Sequence, residues 1–547
     1  MAFLQDAPRL PHPFREDRSL QDWLSLHVPA GRQEALHADL QALADYACMA
    51  YARRMHTPRK EPVLTQWDAW GARTDRIELT PAWREGPGLT ARHGLLAAGH
   101  DDDAGALGRV EQFLRVYVYH VASEFYTCPL AMTDGAATAI KASGNRELAS
   151  RALPHFLSRD PDRLWLSGQW MTETTGGSDV HATETVARKD DAGNWRLYGR
   201  KWFTSAVVGE AALALARPEG ADTGADALAL FYVETRDADG NWHHLTVDRL
   251  KDKLGTRELP TAEIQLQGIP AQPVAGLSHG VRQITPVLNI TRTWNAVCAV
   301  ASMARCIALA RDYATRRMAF GKPLIHQPLH ARTLADMQVR FEASFALSFH
   351  VVTLLGKAEH GQATAEEEAA LRLLTPLAKL WTGKLAVALA SEALECFGGA
   401  GYVEDTGLPQ LLRDAQVYPI WEGTTNVLSL DTLRALSSTG LAPLRAELER
   451  LMKPSGHASI RDRVRSTLDH AQGFLERHAS DRDSLQAGAR QLALSLARCT
   501  AAALLAGQAA RAGGPHAKRM RAVLDTFLAH GLDCLDDARP DPDVLLA

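Results

Sequence analysis

The sequence predicts a mainly α-helical protein with one β domain set in its middle. Three observations carry that prediction. Helical periodicity dominates residues 1–165 and returns from residue 280 onward. Between them, residues 166–279 alternate apolar, β-branched and aromatic residues, punctuated by Gly, Asp and Asn clusters. The length, 547 residues, is also too great for one ordinary domain and points to three or four.

The first domain, residues 1–165, reads as helices joined by Pro/Gly loops, with Gln33–Arg54 and Gly108–Glu124 as its clearest periodic stretches. Trp67, Trp70 and Trp83 fall in a turn-rich segment between them and are expected to pack in the core. In the second domain, residues 166–279, Trp195–Phe203, Ala227–Glu234 and Ala262–Gln267 read as strands. The third, residues 280–440, contains the long segments Ala296–Arg316, Thr333–Glu359 and Ala365–Cys396, which predict a four-helix bundle. A helical extension, residues 441–547, follows and includes the Ala- and Leu-rich Ala487–Ala512. Ligand sites favour domain interfaces, so the boundary between β domain and bundle is the expected place for one.

Composition narrows the class. With 46% hydrophobic and 23% charged residues the chain can bury a large core and is neither disordered nor collagenous. A net charge of -4 argues against whole-chain attraction to nucleic acid or a membrane surface. Seven cysteines without a CxxC pair fit a reducing compartment better than a disulfide framework. The opening MAFLQDAPRLPHPFREDRSL lacks the apolar core of a secretory signal, and no run of about 18 apolar residues stands out. The expectation is a cytoplasmic protein without a membrane span. No HExxH, no Cys/His cluster at ligand spacing, no Walker A and no GxGxxG after a strand occur, so no metal and no Rossmann fold are expected.

Five motifs carry chemistry. Met171-Thr172-Glu173-Thr174-Thr175-Gly176-Gly177-Ser178-Asp179 offers hydroxyls and glycines that permit close backbone approach to a flat ring or phosphate; alone it is equally a capped turn. Gly199–Ser205 ends a strand in Trp202, Phe203 and Thr204, an aromatic and a hydroxyl that can meet a ring and its polar edge. Arg316–Gln327 closes a long helix with Gly and Pro and places arginines where a pyrophosphate could be forked. Phe397–Tyr402 is a glycine loop that can close on a phosphate or pack helices. Tyr418–Asn426 sets Glu422 between an aromatic and a glycine, a position that desolvates a carboxylate and makes it a stronger base near neutral pH.

Together the types, order and spacing of these motifs resemble the acyl-CoA dehydrogenases across about residues 165–437, and the helical first third fits the same architecture. The resemblance implies a helical domain, a β domain and a four-helix domain that bind FAD, in a homotetramer or homodimer. It implies that Gln169, Met171, Thr172, Gly177 and Ser178, with Trp202, Phe203 and Thr204, wrap the flavin ring. Arg317, Phe320, Gln327, Gly398 and Gly399 would contact FAD, some of them from a neighbouring subunit. Thr424 and Asn426 belong to the flavin-contacting turn after the base, and Thr174 stands where the family's motif usually has proline. Ser178, Asn289, Arg292 and Gly423 are implied at the substrate, with Asn289 replacing the Asp of many members.

Glu422 matches the family's catalytic base in one of its two known placements. The implied reaction removes the α-proton of an acyl-CoA while a β-hydride passes to flavin, with the thioester oxygen held by donors. Electrons would then leave to an electron-transfer flavoprotein. The proline-free Thr-Glu-x-x-Gly-Gly-Ser-Asp form, the Ile-Trp-Glu-Gly base motif and the extension past residue 440 resemble the AidB-like subfamily most.

That subfamily carries an alternative, a flavin-containing DNA-binding protein of the alkylation-stress response with weak dehydrogenase activity. Its candidate contacts are Arg461, Arg463, Arg465, Lys518, Arg519 and Arg521, interleaved with or followed by Asp462, Asp469, Asp525, Asp533, Asp536 and Asp537. A solvated mixed-charge surface explains that pattern more simply. An acyl-CoA oxidase, in which oxygen takes the electrons, is a third reading.

Overall fold

The computed structural model describes residues 6–536, apart from 58, 225, 456 and 457, together with 544, 546 and 547. Asp537 lies outside the described residues. The first third contains helices α1 (Arg18–His27), α2 (Ala30–Arg54), α3 (Pro81–His93), α4 (Leu107–His120), α5 (Thr127–Ser143) and α6 (Arg146–Phe156). Local sequence sets their ends. Thr80 caps α3 by accepting the Trp83 N–H, Pro81 fits the first turn, and Gly94 closes the helix with φ +59°.

A two-stranded antiparallel hairpin, β1 (Val63–Trp67) and β2 (Arg73–Glu78), interrupts these helices and leans on the β domain. Gln66 Nε2 donates to Val247 O at 3.0 Å, and Asp75 Oδ2 accepts the Val247 N–H at 2.9 Å. Strand alternation turns Leu64 and Ile77 toward that domain. It turns Trp67 outward, 55% exposed, and Trp70 at the hairpin tip is 94% exposed. The core expectation for these two tryptophans is therefore corrected. Only Trp83 is buried, edge-on to Tyr126 at 5.1 Å.

The β domain comprises β3 (Ser167–Trp170), β4 (Val186–Lys189), β5 (Trp195–Thr204), β6 (Ala211–Pro218), β7 (Ala229–Glu234), β8 (Leu245–Leu250) and β9 (Ala262–Pro273). Strand pairs run β4-β5-β9-β7-β6, and β6 pairs back to β4, so the sheet closes on itself; β3 adds to β6 and β8 to β9. Ala212, Ala214, Phe231, Val247 and Ile264 fill the interior.

After a short turn α7 (Gly280–Gln283) come α8 (Thr285–Arg316), the tiny hairpin β10 (Met318–Ala319) and β11 (Lys322–Pro323), α9 (Pro328–Glu359), α10 (Ala365–Cys396), α11 (Pro409–Ala415) and α12 (Thr425–Thr439). Helices α8, α9 and α10 are 32 residues each and form the bundle with α12. Thr364 and Glu367 make a reciprocal capping box at the start of α10. The extension is α13 (Ala442–Met452), α14 (Ala458–Arg477), α15 (Arg482–Arg511) and α16 (Gly514–Ala529). It shares one core with α9, α10 and α12 through Leu347, Leu377, Leu428 and Leu496.

Helices α8, α9, α10 and α15 are each long and apolar enough to cross a membrane by length and composition, which corrects the reading that no such stretch exists. Their most apolar windows are 78–89% buried against the rest of the protein. The apolarity that sequence inspection missed is spread round each helix, as packing on several sides requires.

Candidate functional site

The Glu422 turn is held from below by a buried polar knot. Tyr418 donates or accepts at 2.7 Å with both His120 Nε2 and Ser302 Oγ, joining α4, α8 and the approach to α12. Phe125 packs on Tyr418 at 5.8 Å and on Trp421 at 6.2 Å, and the Trp421 indole N–H donates to Asn295 Oδ1. The chain then enters two left-handed positions, Glu422 at φ +56° and Gly423 at φ +100°. Glycine accepts that conformation readily and Glu does not, so the surroundings must hold it. Thr424 ends the turn by capping α12 on the Val427 N–H, and Asn426 is exposed in the first turn of that helix.

Three groups grip the turn. Thr291 Oγ1 donates to Glu422 Oε2 at 2.5 Å, Arg292 Nε donates to the Glu422 carbonyl at 3.3 Å, and Lys379 Nζ donates to the Gly423 carbonyl at 2.6 Å. Arg292 also pairs with Asp431 at 2.8 Å, and Arg372 takes the other oxygen of the same carboxylate at 2.8 Å. Arg292, expected at the substrate, thus supports the turn that carries the base. Burial raises the Glu422 pKa, with Thr291, Arg292 and Lys379 opposing it. The carboxyl is accordingly a stronger base than an exposed glutamate. Cys128 of α5 lies close enough for Glu422 to help raise its thiol, which burial pushes up beyond the usual range.

The strip expected to bind a ring packs in one cluster with the start of α8, the helix that also holds this turn. Met171 packs in one cluster with Val287, one helical turn before Thr291 on α8. Gln169, on the neighbouring strand position β3, has a buried Oε1 with no partner, as does the indole nitrogen of Trp170. The Gln169 atom is one that a bound ring with donors can satisfy; Trp170 points the other way, into the β-domain interior. The Thr172 carbonyl accepts the Trp202 N–H at 2.9 Å, so the strip and β5 are one surface. Gly177 and Ser178 are exposed, and a Cβ on Gly177 would press within 3.2 Å of Thr172. Trp202 is half-buried with Lys251 Nζ 3.2 Å from its ring centroid; Phe203 is 47% exposed. The Thr204 hydroxyl proton is committed to the Ala262 carbonyl at 2.7 Å, so the side chain is not free to donate to a ligand.

Glu173 of the same motif faces inward. It accepts from Lys201 Nζ at 2.6 Å, Thr185 Oγ1 at 2.6 Å and the Glu184 N–H at 2.7 Å. This staple fixes the loop 172–185 on β5 and explains the acidic residue in the motif. Sequence reading treated Glu173 only as part of a turn.

The remaining predicted contacts sit elsewhere. Arg317 ends α8, Phe320 and Gly321 form the tip of the β10–β11 hairpin at φ +50° and +80°, and Gln327 Nε2 ties the hairpin by donating to Ala319 O at 2.7 Å. Phe320 is 98% exposed. Gly398 and Gly399 are exposed at the same end of the bundle, because Phe397 meets Tyr313, one turn before Arg317, at 5.3 Å. Along α8, Thr291 and Arg317 are separated by about 39 Å at 1.5 Å per residue. One dinucleotide does not bridge the two groups within a chain. Asn289 is half-buried in α8 near the base, its carbonyl accepting from Thr293 Oγ1 at 2.9 Å.

Thr291, Lys379, Phe125, His120 and Asp431 were not singled out by sequence. A lone lysine inside Leu377-Ala378-Lys379-Leu380 was the available signal for one of them.

In the extension, the candidate nucleic-acid cations are mostly spent within the fold. Arg463 donates to the Leu528 carbonyl at 2.6 Å, Arg465 pairs with Glu449 at 2.7 Å, and Arg519 pairs with Glu342 and Asp22. Arg461 reaches the Met452 and Lys453 carbonyls at 3.5 and 3.4 Å, while Lys518 and Arg521 are exposed. The DNA-binding alternative is not favoured.

A half-buried carboxylate on a strained turn, gripped by α8 and α10 of a four-helix bundle that follows a closed β domain, fits a flavoprotein-dehydrogenase type of site. Comparison with known proteins agrees. Residues 9–163 match the adaptive response protein AidB N-terminal domain, 168–269 the acyl-CoA dehydrogenase middle domain, 278–437 the acyl-CoA dehydrogenase C-terminal domain, and 443–523 an acyl-CoA dehydrogenase 11 C-terminal domain-like region. Acyl-CoA dehydrogenase family member 11 of Caenorhabditis elegans is 39% identical over 92% of this chain and 85% of its own length. Its structure in complex with C11-CoA superposes with a TM-score of 0.92 at 37% identity, covering 98% of this chain and 94% of that one. The apo-form of Bd2924 gives 0.86 at 42% identity over 93% of this chain and 100% of that one. AidB of Escherichia coli (strain K12) is 33% identical over 69% of each chain. The chain belongs to the acyl-CoA dehydrogenase family.

Proposed function

We propose that this protein is an FAD-dependent acyl-CoA dehydrogenase of the AidB-like branch, acting on the Cα–Cβ bond of an acyl-CoA thioester. The observation that carries the reading is the Glu422 carboxylate, half-buried and hydrogen-bonded by Thr291 in a left-handed turn. Bound FAD supplies the hydride acceptor. Gln169, Met171, Thr172 and Trp202 hold the ring. Glu422 removes the α-proton, and its own backbone N–H is available to the thioester oxygen as negative charge develops there. Phe125, Tyr418 and Trp421 form an aromatic cluster on the approach to the base.

The separation along α8 supports a site completed by a second copy of the chain. Arg317, Phe320, Gln327, Gly398 and Gly399 then serve a neighbour's FAD, in a homodimer or homotetramer. An electron-transfer flavoprotein is the proposed acceptor. The seven unpaired cysteines suit a reducing compartment such as the cytoplasm. The relative solved with C11-CoA makes medium-length acyl chains the first to try.

The test is an anaerobic titration of the flavin-loaded protein with acyl-CoAs of several lengths, following flavin absorbance. Bleaching by one length class, lost in Glu422→Gln with flavin retained, is the expected result. Bleaching that survives in Glu422→Gln removes the assigned base. Oxygen consumption with acyl-CoA would make it an oxidase.

A further inference from the structure

Lys379 sits in the middle of α10 with 0% exposure, in a run of leucines and alanine. Burying an ammonium is costly, and a fold keeps one only where something compensates it. Among the described residues its only hydrogen bond goes to the Gly423 carbonyl, at 2.6 Å, and no carboxylate lies within ion-pair distance. Around it two arginines share one carboxylate. Arg292 from α8 pairs with Asp431 of α12, which also binds Arg372 of α10. The nearby anion is Glu422, whose charge favours the lysine's cation while Arg292 disfavours it; Arg292 and Lys379 both favour the Glu422 anion in turn. Thr291 from α8 donates to the base, and Cys128 from α5, itself near Lys253, feels its charge.

The backbone gives the second half of the argument. Glu422 and Gly423 occupy consecutive left-handed positions, and strain of that kind persists only where surrounding contacts over-determine it. Two cations grip two successive carbonyls there: Arg292 on Glu422 and Lys379 on Gly423. Without the second grip the Gly423 carbonyl loses its cation, and the turn is held by Arg292 and Thr291 alone.

We propose that Lys379 is a positioning residue for the base: its ammonium clamps the Gly423 carbonyl, helps hold Glu422 in its left-handed turn, and adds to the positive charge facing the carboxylate. This rests on the reading of Glu422 as the base and deepens it. Burial pushes the Lys379 ammonium down to about 7, so the clamp is charged on the acid side of that value and loses its charge above it. The base is ready only where Glu422 is ionised and Lys379 still protonated. The lysine therefore sets the alkaline limb of the rate profile, and Glu422 the acid limb.

The experiment compares flavin-loaded wild type, Lys379→Met, Lys379→Gln and Lys379→Arg. The Glu422 carboxyl is titrated by isotope-edited infrared spectroscopy, with Glu422→Gln assigning the band, and acyl-CoA-dependent bleaching is followed across pH. Lys379→Met should keep its flavin, bleach at least about 10-fold more slowly at neutral pH, lose the alkaline limb, and show Glu422 titrating at higher pH. Lys379→Gln keeps a donor without the charge and should show the same upward titration with a smaller loss of rate. Lys379→Arg should return the titration toward wild type.

An unchanged Glu422 titration in folded Lys379→Met overturns the proposal whatever happens to the rate. Collapse of the fold in both neutral variants overturns it too, marking the lysine as core support alone. The infrared titration needs no turnover. A wild type that never bleaches would therefore sink the dehydrogenase reading and leave the lysine's hold on Glu422 still measured.

Discussion

Replacing Lys201 by Met removes the cation under the loop that bears the flavin-strip motif. Lys201 is 0% exposed and Glu173 4% exposed, and their 2.6 Å contact is accompanied by a 2.8 Å bond from Lys201 Nζ to the Leu215 carbonyl. In Lys201→Met the Glu173 carboxylate stays buried with the Thr185 hydroxyl at 2.6 Å and the N–H groups of Glu184 and Thr185 at 2.7 and 3.3 Å. Stranding one partner of a buried pair typically costs about 3–5 kcal/mol. The three surviving donors place this case near about 3 kcal/mol, within what a domain of ordinary stability survives. Replacing both partners, Glu173→Leu with Lys201→Met, should cost less than the sum of the singles, because no charge is then left alone.

The acid dependence follows from the same contact. Burial disfavours the Glu173 anion, but Lys201, Thr185 and Glu184 outweigh it and hold the carboxyl below its ordinary 4.5. A depressed folded pKa contributes stability that is present above the unfolded value and lost as pH falls through the folded one. Wild type should therefore lose stability from about pH 4.5 downward, and Lys201→Met should lose less over that range. Urea unfolding at neutral and acid pH measures both, and flavin fluorescence measures the loosened strip as weaker binding. A loss under about 1 kcal/mol at neutral pH, with flavin affinity unchanged, would refute the staple.

Thr291→Val removes a 2.5 Å hydrogen bond to the base. Since that bond lowers the Glu422 pKa, the acid limb of bleaching should move to higher pH, with the rate near pH 6 falling about 10-fold; an unmoved limb counts against the contact. Tyr418→Phe removes two hydrogen bonds but leaves His120 Nε2 paired with Ser302 Oγ at 3.2 Å, and should cost about 1 kcal/mol in thermal or urea unfolding. Arg463→Ala should cost about 1 kcal/mol by freeing the Leu528 carbonyl and leave duplex DNA retention unaltered. Salt-dependent DNA binding that disappears in this variant would revive the nucleic-acid reading.

What the sequence made legible was whatever is written locally. Strand alternation, helix periodicity and the five short motifs each occupy neighbouring positions, and they located the β domain, the long helices and Glu422. Contacts between distant positions were not readable in that way. Glu173 and Lys201 are brought together by a strand crossing, and Lys379 meets Gly423 only because α10 passes under the turn before α12. Arg292 was read from its position in a motif, yet its partners Asp431 and Arg372 come from two other helices. Trp67 and Trp70 misled because a large aromatic is buried on average, and a hairpin that rests on a neighbouring domain by one face leaves the other outside.

The shared core of α9, α10 and α15 also has a consequence in time. A nascent chain that has emerged only as far as residue 440 has the whole bundle but nothing to cover Leu347, Leu354, Leu377 and Leu380. At a synthesis rate of about 5–20 residues per second, the stretch that ends with α15 takes on the order of 4–14 s longer to appear. Through that interval the half-made protein displays its stickiest surface to the cell, so the last fifth of the chain decides how safely the rest is born.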